Sequence, residues 1–176
     1  MAKITLVLGG ARSGKSWYCE QLAAKTASRK LYVATTTVLD QEMLMRVASQ
    51  RAHGIGEWAV IEEPIDISGV ITAKNNEKSL ILVDSLTSWL GNLLDAQIDM
   101  IEHSDLLIES LKATKAEVIL VSSEVGMGVV PENIHARQFR DYAGILHQRV
   151  AEVADSLIMM VAGVPIVVKG PPPQAL

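Results

Sequence analysis

The 176-residue sequence has little of several residue types whose abundance would indicate a particular class of protein. Cys19 is its only cysteine, which excludes an internal disulfide and favours a reducing compartment. Lysine and arginine number 16 against 20 acidic residues, the net charge is −4, and aromatic residues make up 4%. The composition therefore does not indicate a basic, aromatic surface for nucleic acid or an anionic membrane.

Long apolar runs are also missing. No run approaches the roughly 18 residues that a membrane span requires. Residues 1–3 lead directly into an apolar segment without the features of a signal peptide, so we expect a cytoplasmic protein. The remaining composition, 49% hydrophobic and 20% charged, is that of a globular protein. We expect one domain over residues 1–169 and a flexible tail over 170–176, which contains three successive prolines.

The most informative segment is Gly9–Ser16, which reads GGARSGKS and matches the pattern G-x-x-x-x-G-K-[ST]. An apolar segment, Ile4–Leu8, precedes it as a predicted strand, and Lys15–Lys25 follows as a predicted helix. In this context the backbone N–H groups of such a loop bind phosphate. We call the segment the phosphate loop; its residues are Gly9, Gly10, Ala11, Arg12, Ser13, Gly14, Lys15 and Ser16.

Two side chains of the phosphate loop have predicted roles in a nucleoside triphosphate site. Lys15 is expected to reach the β- and γ-phosphates, and the Ser16 hydroxyl to bind Mg²⁺. Asp84 ends the apolar segment Ser79–Val83 and is the expected second Mg²⁺ ligand. GTP or ATP together with Mg²⁺ is therefore the predicted ligand.

Apolar segments alternate with helical patterns along the chain, which predicts an α/β fold with a mostly parallel sheet flanked by helices. The further predicted strands are Lys30–Ala34, Trp58–Ile61, Ser79–Asp84, Glu117–Ser122, Ser156–Ala162 and Ile166–Lys169. The further predicted helices are Asp40–Ala52, a segment ending near Lys74, Ser85–Leu94, Ile98–Thr114 and Pro131–Ala154. Ligands of such sheets bind at the carboxyl ends of the strands, where Gly9, Thr35, Asp84 and Glu124 are expected.

Several segments together resemble one enzyme family. These are the phosphate loop, LYVAT at 31–35, LVDSLTSWLGNLL at 82–94, and the run from Ser122 to Asp155 that begins SSEVGMGVVPENIHARQFRD. They are similar to the bifunctional adenosylcobinamide kinase / adenosylcobinamide-phosphate guanylyltransferase of cobalamin biosynthesis. The resemblance implies a RecA-like P-loop NTPase sheet and a homotrimer. It also implies adenosylcobinamide and its phosphate as substrates.

The resemblance implies two reactions, phosphorylation of the aminopropanol hydroxyl and transfer of GMP to the new phosphate through a guanylylated histidine. Alignment places Gln50 at the position of that histidine, and an amide is not a nucleophile. Two interpretations remain open. Either His53, one turn further along the predicted helix, replaces it, or His53 is a surface imidazole and the transferase step is lost or weakened.

The resemblance further implies a set of residues that line the nucleotide site: Thr35, Thr36, Thr37, Arg51, Glu62 and Asp84. A carboxylate suits the N1 and N2 donors of guanine, and the sequence does not decide between Glu62 and Asp84. From the residues alone, the threonines could instead satisfy turn backbone. Two rival functions are a nucleotide-binding subunit without turnover, which Gln50 suggests, and a nucleic-acid motor, against which the acidic composition argues.

Overall fold

A computed structural model describes residues 3–26, 29–36 and 58–171 of the chain. The predicted helix Asp40–Ala52 and four predicted site residues lie outside these ranges. The four residues are Thr37, Gln50, Arg51 and His53.

The described residues form seven strands and five helices. The strands are β1 (Ile4–Gly9), β2 (Arg29–Ala34), β3 (Trp58–Glu62), β4 (Ser79–Asp84), β5 (Glu117–Ser123), β6 (Ser156–Val161) and β7 (Val164–Lys169). The helices are α1 (Lys15–Ala24), α2 (Ile67–Ala73), α3 (Leu86–Asp95), α4 (Met100–Ala113) and α5 (Ile134–Val153). None of these helices is long and apolar enough to cross a membrane.

The seven strands make one sheet in the order β3-β2-β4-β5-β1-β6-β7. All neighbouring strands are parallel except β6 and β7, which form an antiparallel hairpin. The predicted mostly parallel α/β sheet is therefore confirmed. Because β1 and β4 lie on either side of β5, the strand order brings the phosphate loop and Asp84 close together at the carboxyl ends of the strands.

Alternate residues of the central strands enter two cores, one on each face of the sheet. In β1, Leu6 packs in the larger core and Val7 in the smaller one. The larger core lies under α2, α3, α4 and α5, and it includes Trp89. The smaller core lies under α1 and contains Cys19, which is fully buried. Burial raises the pKa of the Cys19 thiol, as expected for a packed residue rather than a nucleophile.

Several predicted element boundaries differ from the observed ones, and the largest difference is at the start of the last helix. The last helix begins at Ile134 rather than Pro131, because the Asn133 side chain accepts hydrogen bonds from the N–H groups of His135 and Ala136 and caps the helix there.

The hairpin turn is the second difference. The predicted strands Ser156–Ala162 and Ile166–Lys169 left residues 163–165 as the turn, but the turn is the pair Ala162-Gly163, with φ of 49° and 83°. This geometry is typical of a two-residue hairpin turn. Val164 and Pro165 consequently belong to β7, an edge strand in which proline is tolerated.

Candidate functional site

The phosphate loop connects the end of β1 to the start of α1, as predicted. Gly14 has φ of +93°, a left-handed conformation that favours glycine. A Cβ added to Gly9 would lie 2.5 Å from Ser13 Oγ and 2.7 Å from the carbonyl oxygen of Met160. Close packing against Ser13 and β6 therefore requires glycine at position 9.

The Lys15 side chain folds back along the phosphate loop. Its Nζ donates hydrogen bonds to the carbonyl oxygens of Gly9, at 2.9 Å, and Gly10, at 2.7 Å. Burial lowers the pKa of Lys15, and the negative charge of Asp84 opposes this effect. The ammonium group is thus held at the loop together with the N-terminus of α1, a position from which it can bind phosphate oxygens.

Asp84 at the end of β4 faces the start of α1. Its Oδ2 atom accepts hydrogen bonds from Ser16 Oγ, at 3.1 Å, and from Tyr32 Oη, at 2.9 Å. The two predicted Mg²⁺ ligands are therefore adjacent. Tyr32 on the neighbouring strand β2 is a third member of the group that sequence reasoning missed, because its approach to Asp84 depends on the pairing of β2 with β4.

The chemistry of this group fits Mg²⁺. One carboxylate and one hydroxyl beside a phosphate loop are the protein ligands expected for an ion that otherwise binds phosphates and water. Among the described residues there is no cluster of three or more His, Cys, Asp or Glu side chains that could hold a metal by itself. The further ligands of a metal held at Ser16 and Asp84 would be phosphate oxygens and water.

Thr35 follows β2 and is fully buried. Its Oγ1 donates to the carbonyl oxygen of Ser85 and accepts from the Ser85 N–H, each at 2.8 Å. Its own carbonyl oxygen accepts from the Asn92 side chain at 2.6 Å. Thr35 thus joins the ends of β2 and β4, which is the backbone role that the sequence left open, while Thr36 beside it is half-buried.

Glu62 ends β3 and is exposed. Alternation along the strand puts residue 62 on the same face as Trp58, which packs in the core under α1. In β2 the residue paired with Glu62 is Ala34, which is in turn paired with Asp84. Glu62 and Asp84 therefore both lie at the carboxyl ends of their strands. The two strands are separated by β2, and Glu62 is further from the phosphate loop.

Glu124 lies at the end of β5, as expected, but its side chain has partners within its own loop. The backbone N–H of Glu124 donates to the carbonyl oxygen of Gly9 at 3.0 Å. Its carboxylate accepts from the N–H groups of Gly126, at 2.8 Å, and Met127, at 3.0 Å. Glu124 thus attaches this loop to the phosphate loop and orders the residues that follow.

Trp17 is the second residue that sequence reasoning missed. A cavity of about 500 Å³ opens beside the phosphate loop and is lined by Arg12, Ser13, Gly14, Lys15, Ser16, Trp17 and Glu20. The Trp17 side chain is 56% exposed, whereas Trp58 and Trp89 are buried. A tryptophan directly after the motif was the available signal in the sequence.

Comparison with known proteins places the chain among relatives of one family. A family described as "Cobinamide kinase / cobinamide phosphate guanyltransferase" matches residues 5–168. The bifunctional adenosylcobalamin biosynthesis protein CobP of Pseudomonas aeruginosa is 40% identical over 169 residues, covering 95% of this chain and 98% of the relative. The bifunctional protein CobU of Salmonella typhimurium is 37% identical, covering 93% of this chain and 98% of the relative.

Two solved structures resemble the fold at low sequence identity. The RadB recombinase has a TM-score of 0.55 at 14% identity and aligns over 89% of this chain and 73% of its own. A Pyrococcus horikoshii protein has a TM-score of 0.58 at 11% identity and aligns over 96% of this chain and 86% of its own. The likeness to a recombinase confirms the predicted RecA-like fold. The length and identity of the sequence matches show that the chain belongs to the cobinamide kinase / cobinamide phosphate guanyltransferase family.

Proposed function

We propose that this chain phosphorylates the aminopropanol hydroxyl of adenosylcobinamide with a nucleoside triphosphate and then transfers GMP to the new phosphate. The observation that carries the proposal is that Lys15 and Ser16 begin α1 beside the phosphate loop and that Ser16 donates a hydrogen bond to Asp84 at the end of β4. The family supplies the identity of the acceptor. A reducing, cytoplasmic setting suits a chain whose one cysteine is buried.

In the kinase step the hydroxyl oxygen of the corrinoid side chain forms a bond to the γ-phosphorus. The bond from that phosphorus to the β–γ bridging oxygen breaks, the nucleoside diphosphate leaves, and the hydroxyl proton passes to solvent. Lys15 and the backbone N–H groups of the phosphate loop hold the phosphates in line for this attack. When bound, Mg²⁺ adds neutralisation of the charge that develops on the phosphate oxygens.

In the transferase step an oxygen of cobinamide phosphate becomes bonded to the α-phosphorus of GTP, and pyrophosphate leaves. A histidine nucleophile would divide this into two displacements. Gln50 at the family position argues for the alternative function, a kinase without efficient guanylyl transfer. His53 is the candidate substitute nucleophile in the bifunctional proposal.

Guanine recognition is assigned in this proposal to Glu62 rather than Asp84. Asp84 accepts a hydrogen bond from Ser16 at the start of α1, so its carboxylate lies at the phosphate side of the site. Glu62 is exposed, lies on the α1 face, and is two strands further out, where a base attached to the triphosphate could extend. A Glu62→Gln variant should therefore lose preference for GTP over ATP and retain binding of the triphosphate.

The kinase proposal is tested by incubating the protein with GTP, Mg²⁺ and adenosylcobinamide and measuring phosphorylated corrinoid. Lys15→Ala should abolish product, while the matched variant Lys112→Ala should not, because Lys112 pairs with Glu109 on the surface of α4. Binding of GTP by folded wild-type protein without any product would favour a nucleotide-binding subunit instead.

The transferase proposal is tested with GTP labelled at the α-phosphate, followed by denaturation and mapping of the adduct. Label on His53, lost in His53→Ala, would support the bifunctional enzyme. Absence of label together with cobinamide phosphate as the end product would favour the kinase alone. A Gln50→His variant should then gain label and transferase activity, since the other site residues would remain in place.

A further inference from the structure

The exposed position of Trp17 is unusual for its residue type in this chain. Of the three tryptophans, Trp58 is 6% exposed and Trp89 is 1% exposed, while Trp17 is 56% exposed. Tyr18 and Cys19, which follow Trp17 on α1, are buried in the smaller core. The helix therefore buries the next two side chains and leaves the indole of Trp17 in solvent.

The surroundings of Trp17 point to a ligand. The indole lines the cavity of about 500 Å³ whose other lining residues are residues 12–16 of the phosphate loop together with Glu20. Trp17 directly follows Ser16, whose hydroxyl binds Asp84, so the two neighbouring residues share the wall of the same cavity. This cavity lies beside the phosphate loop and has room for other atoms of a molecule whose phosphates occupy the loop.

We propose that Trp17 stacks on the purine base of the bound nucleotide. The proposal rests on the proposed nucleotide use of the phosphate loop and adds to it a residue that contacts the base. An aromatic side chain stacks on any base, because every base has a π-face, so Trp17 contributes affinity without choosing between guanine and adenine. Choice between the bases belongs to a hydrogen-bonding group such as Glu62.

The test compares ligands with and without a base. Equilibrium binding of GTP and of inorganic tripolyphosphate, each with Mg²⁺, is measured for wild type, Trp17→Phe and Trp17→Ala. Base stacking on an aromatic residue contributes about 1–3 kcal/mol, so Trp17→Ala should weaken GTP binding by roughly five- to 150-fold and leave tripolyphosphate binding unchanged. Trp17→Phe should retain most of the GTP affinity.

A second measurement uses fluorescence. Since the other two tryptophans are buried, quenching by acrylamide reports mainly on Trp17. GTP should protect it from quenching, and tripolyphosphate should not.

Four results would overturn the inference. The first is equal GTP affinity of Trp17→Ala and wild type. The second is an equal loss for GTP and tripolyphosphate, which would show disturbance of the phosphate loop. The third is a raised KM for adenosylcobinamide alone, which would assign the indole to the corrinoid. The fourth is that wild type binds neither GTP nor tripolyphosphate. Only this fourth result would also overturn the proposed function.

Discussion

At the scale of single residues, the position of the Asp84 carboxylate depends on the hydroxyl groups that bind it. Its Oδ2 atom accepts from Ser16 and from Tyr32. If Ser16 turns towards Mg²⁺ when the metal binds, the Tyr32 hydrogen bond continues to hold the carboxylate in place. Tyr32 therefore acts as a positioning residue for the predicted metal site.

Replacing Tyr32 tests this role. Tyr32→Phe removes one hydrogen bond, worth about 1 kcal/mol, so the Mg²⁺ concentration that half-saturates GTP binding should rise roughly fivefold. This Mg²⁺ concentration is measured by titrating Mg²⁺ and following GTP binding. Tyr142→Phe on α5 is the matched control. An equal loss of GTP affinity without Mg²⁺ would contradict the metal role and indicate a general effect on the site.

His147 predicts a pH dependence of stability. Its Nε2 lies 2.7 Å from Oγ of the fully buried Ser122, and burial lowers the pKa of His147, an effect that Glu124 partly opposes. As pH falls below about 6.5, the unfolded chain binds a proton that the folded chain does not, so the free energy of unfolding decreases. The decrease should end below the folded pKa, where both states are protonated.

The measurement is urea unfolding between pH 5 and 8, in steps of about half a unit, for wild type, His147→Gln and His135→Gln. His147→Gln should flatten the acid limb of the stability profile, because the titrating group is gone. His135 is exposed on α5, so His135→Gln should keep the wild-type profile. Parallel profiles for wild type and His147→Gln would show that other groups cause the loss.

At the scale of elements, the phosphate loop keeps its shape through close packing. Gly9→Ala would place a methyl group against Ser13 and the backbone of Met160, whereas a Cβ on Gly10 has no atom within 4 Å. Gly9→Ala should therefore lower the free energy of unfolding by about 1–3 kcal/mol and weaken GTP binding, while Gly10→Ala should leave the free energy of unfolding unchanged. Unfolding by urea and GTP titration check both variants. Equal free energies of unfolding for the two variants would mean that the loop backbone shifts to accommodate the added methyl group.

How far the sequence predicts these elements depends on whether their signals are local. The apolar segments of β1 and β4 and the motif between β1 and α1 are local, so the sequence placed Lys15, Ser16 and Asp84 at one site. The start of α5 was missed because the Asn133 cap competes with the helix-initiating tendency of Pro131. Tyr32 was missed because its contact with Asp84 arises only when two strands pair in a particular register.

At the scale of the whole molecule, the edge of the sheet formed by β7 is a candidate contact surface. The β7 edge exposes a row of apolar side chains at alternate positions: Val164, Ile166 and Val168. The strand is held in place by its hairpin with β6 and by Lys169 Nζ, which donates to the carbonyl oxygens of Ala151 and Glu152 at the end of α5. An ordered, apolar edge strand of this kind is prone to associate with another chain.

We propose that a second copy of the chain covers this edge, consistent with the homo-oligomer that the family resemblance implies. Introducing a charge tests it, because a lysine buried without a partner between two copies is unfavourable. Ile166→Lys should shift the molar mass measured by light scattering towards that of the monomer.

Ile145→Lys is the matched control for this shift. Ile145 is 54% exposed and Ile166 is 50% exposed, but Ile145 lies on α5 rather than on the edge strand. Ile145→Lys should therefore leave the molar mass unchanged. Because the hairpin turn also donates the Gly163 N–H to the Ser13 carbonyl oxygen, at 3.0 Å, loss of the partner should weaken GTP binding as well. A monomeric wild type, or an oligomer that survives Ile166→Lys, would place any subunit contact elsewhere.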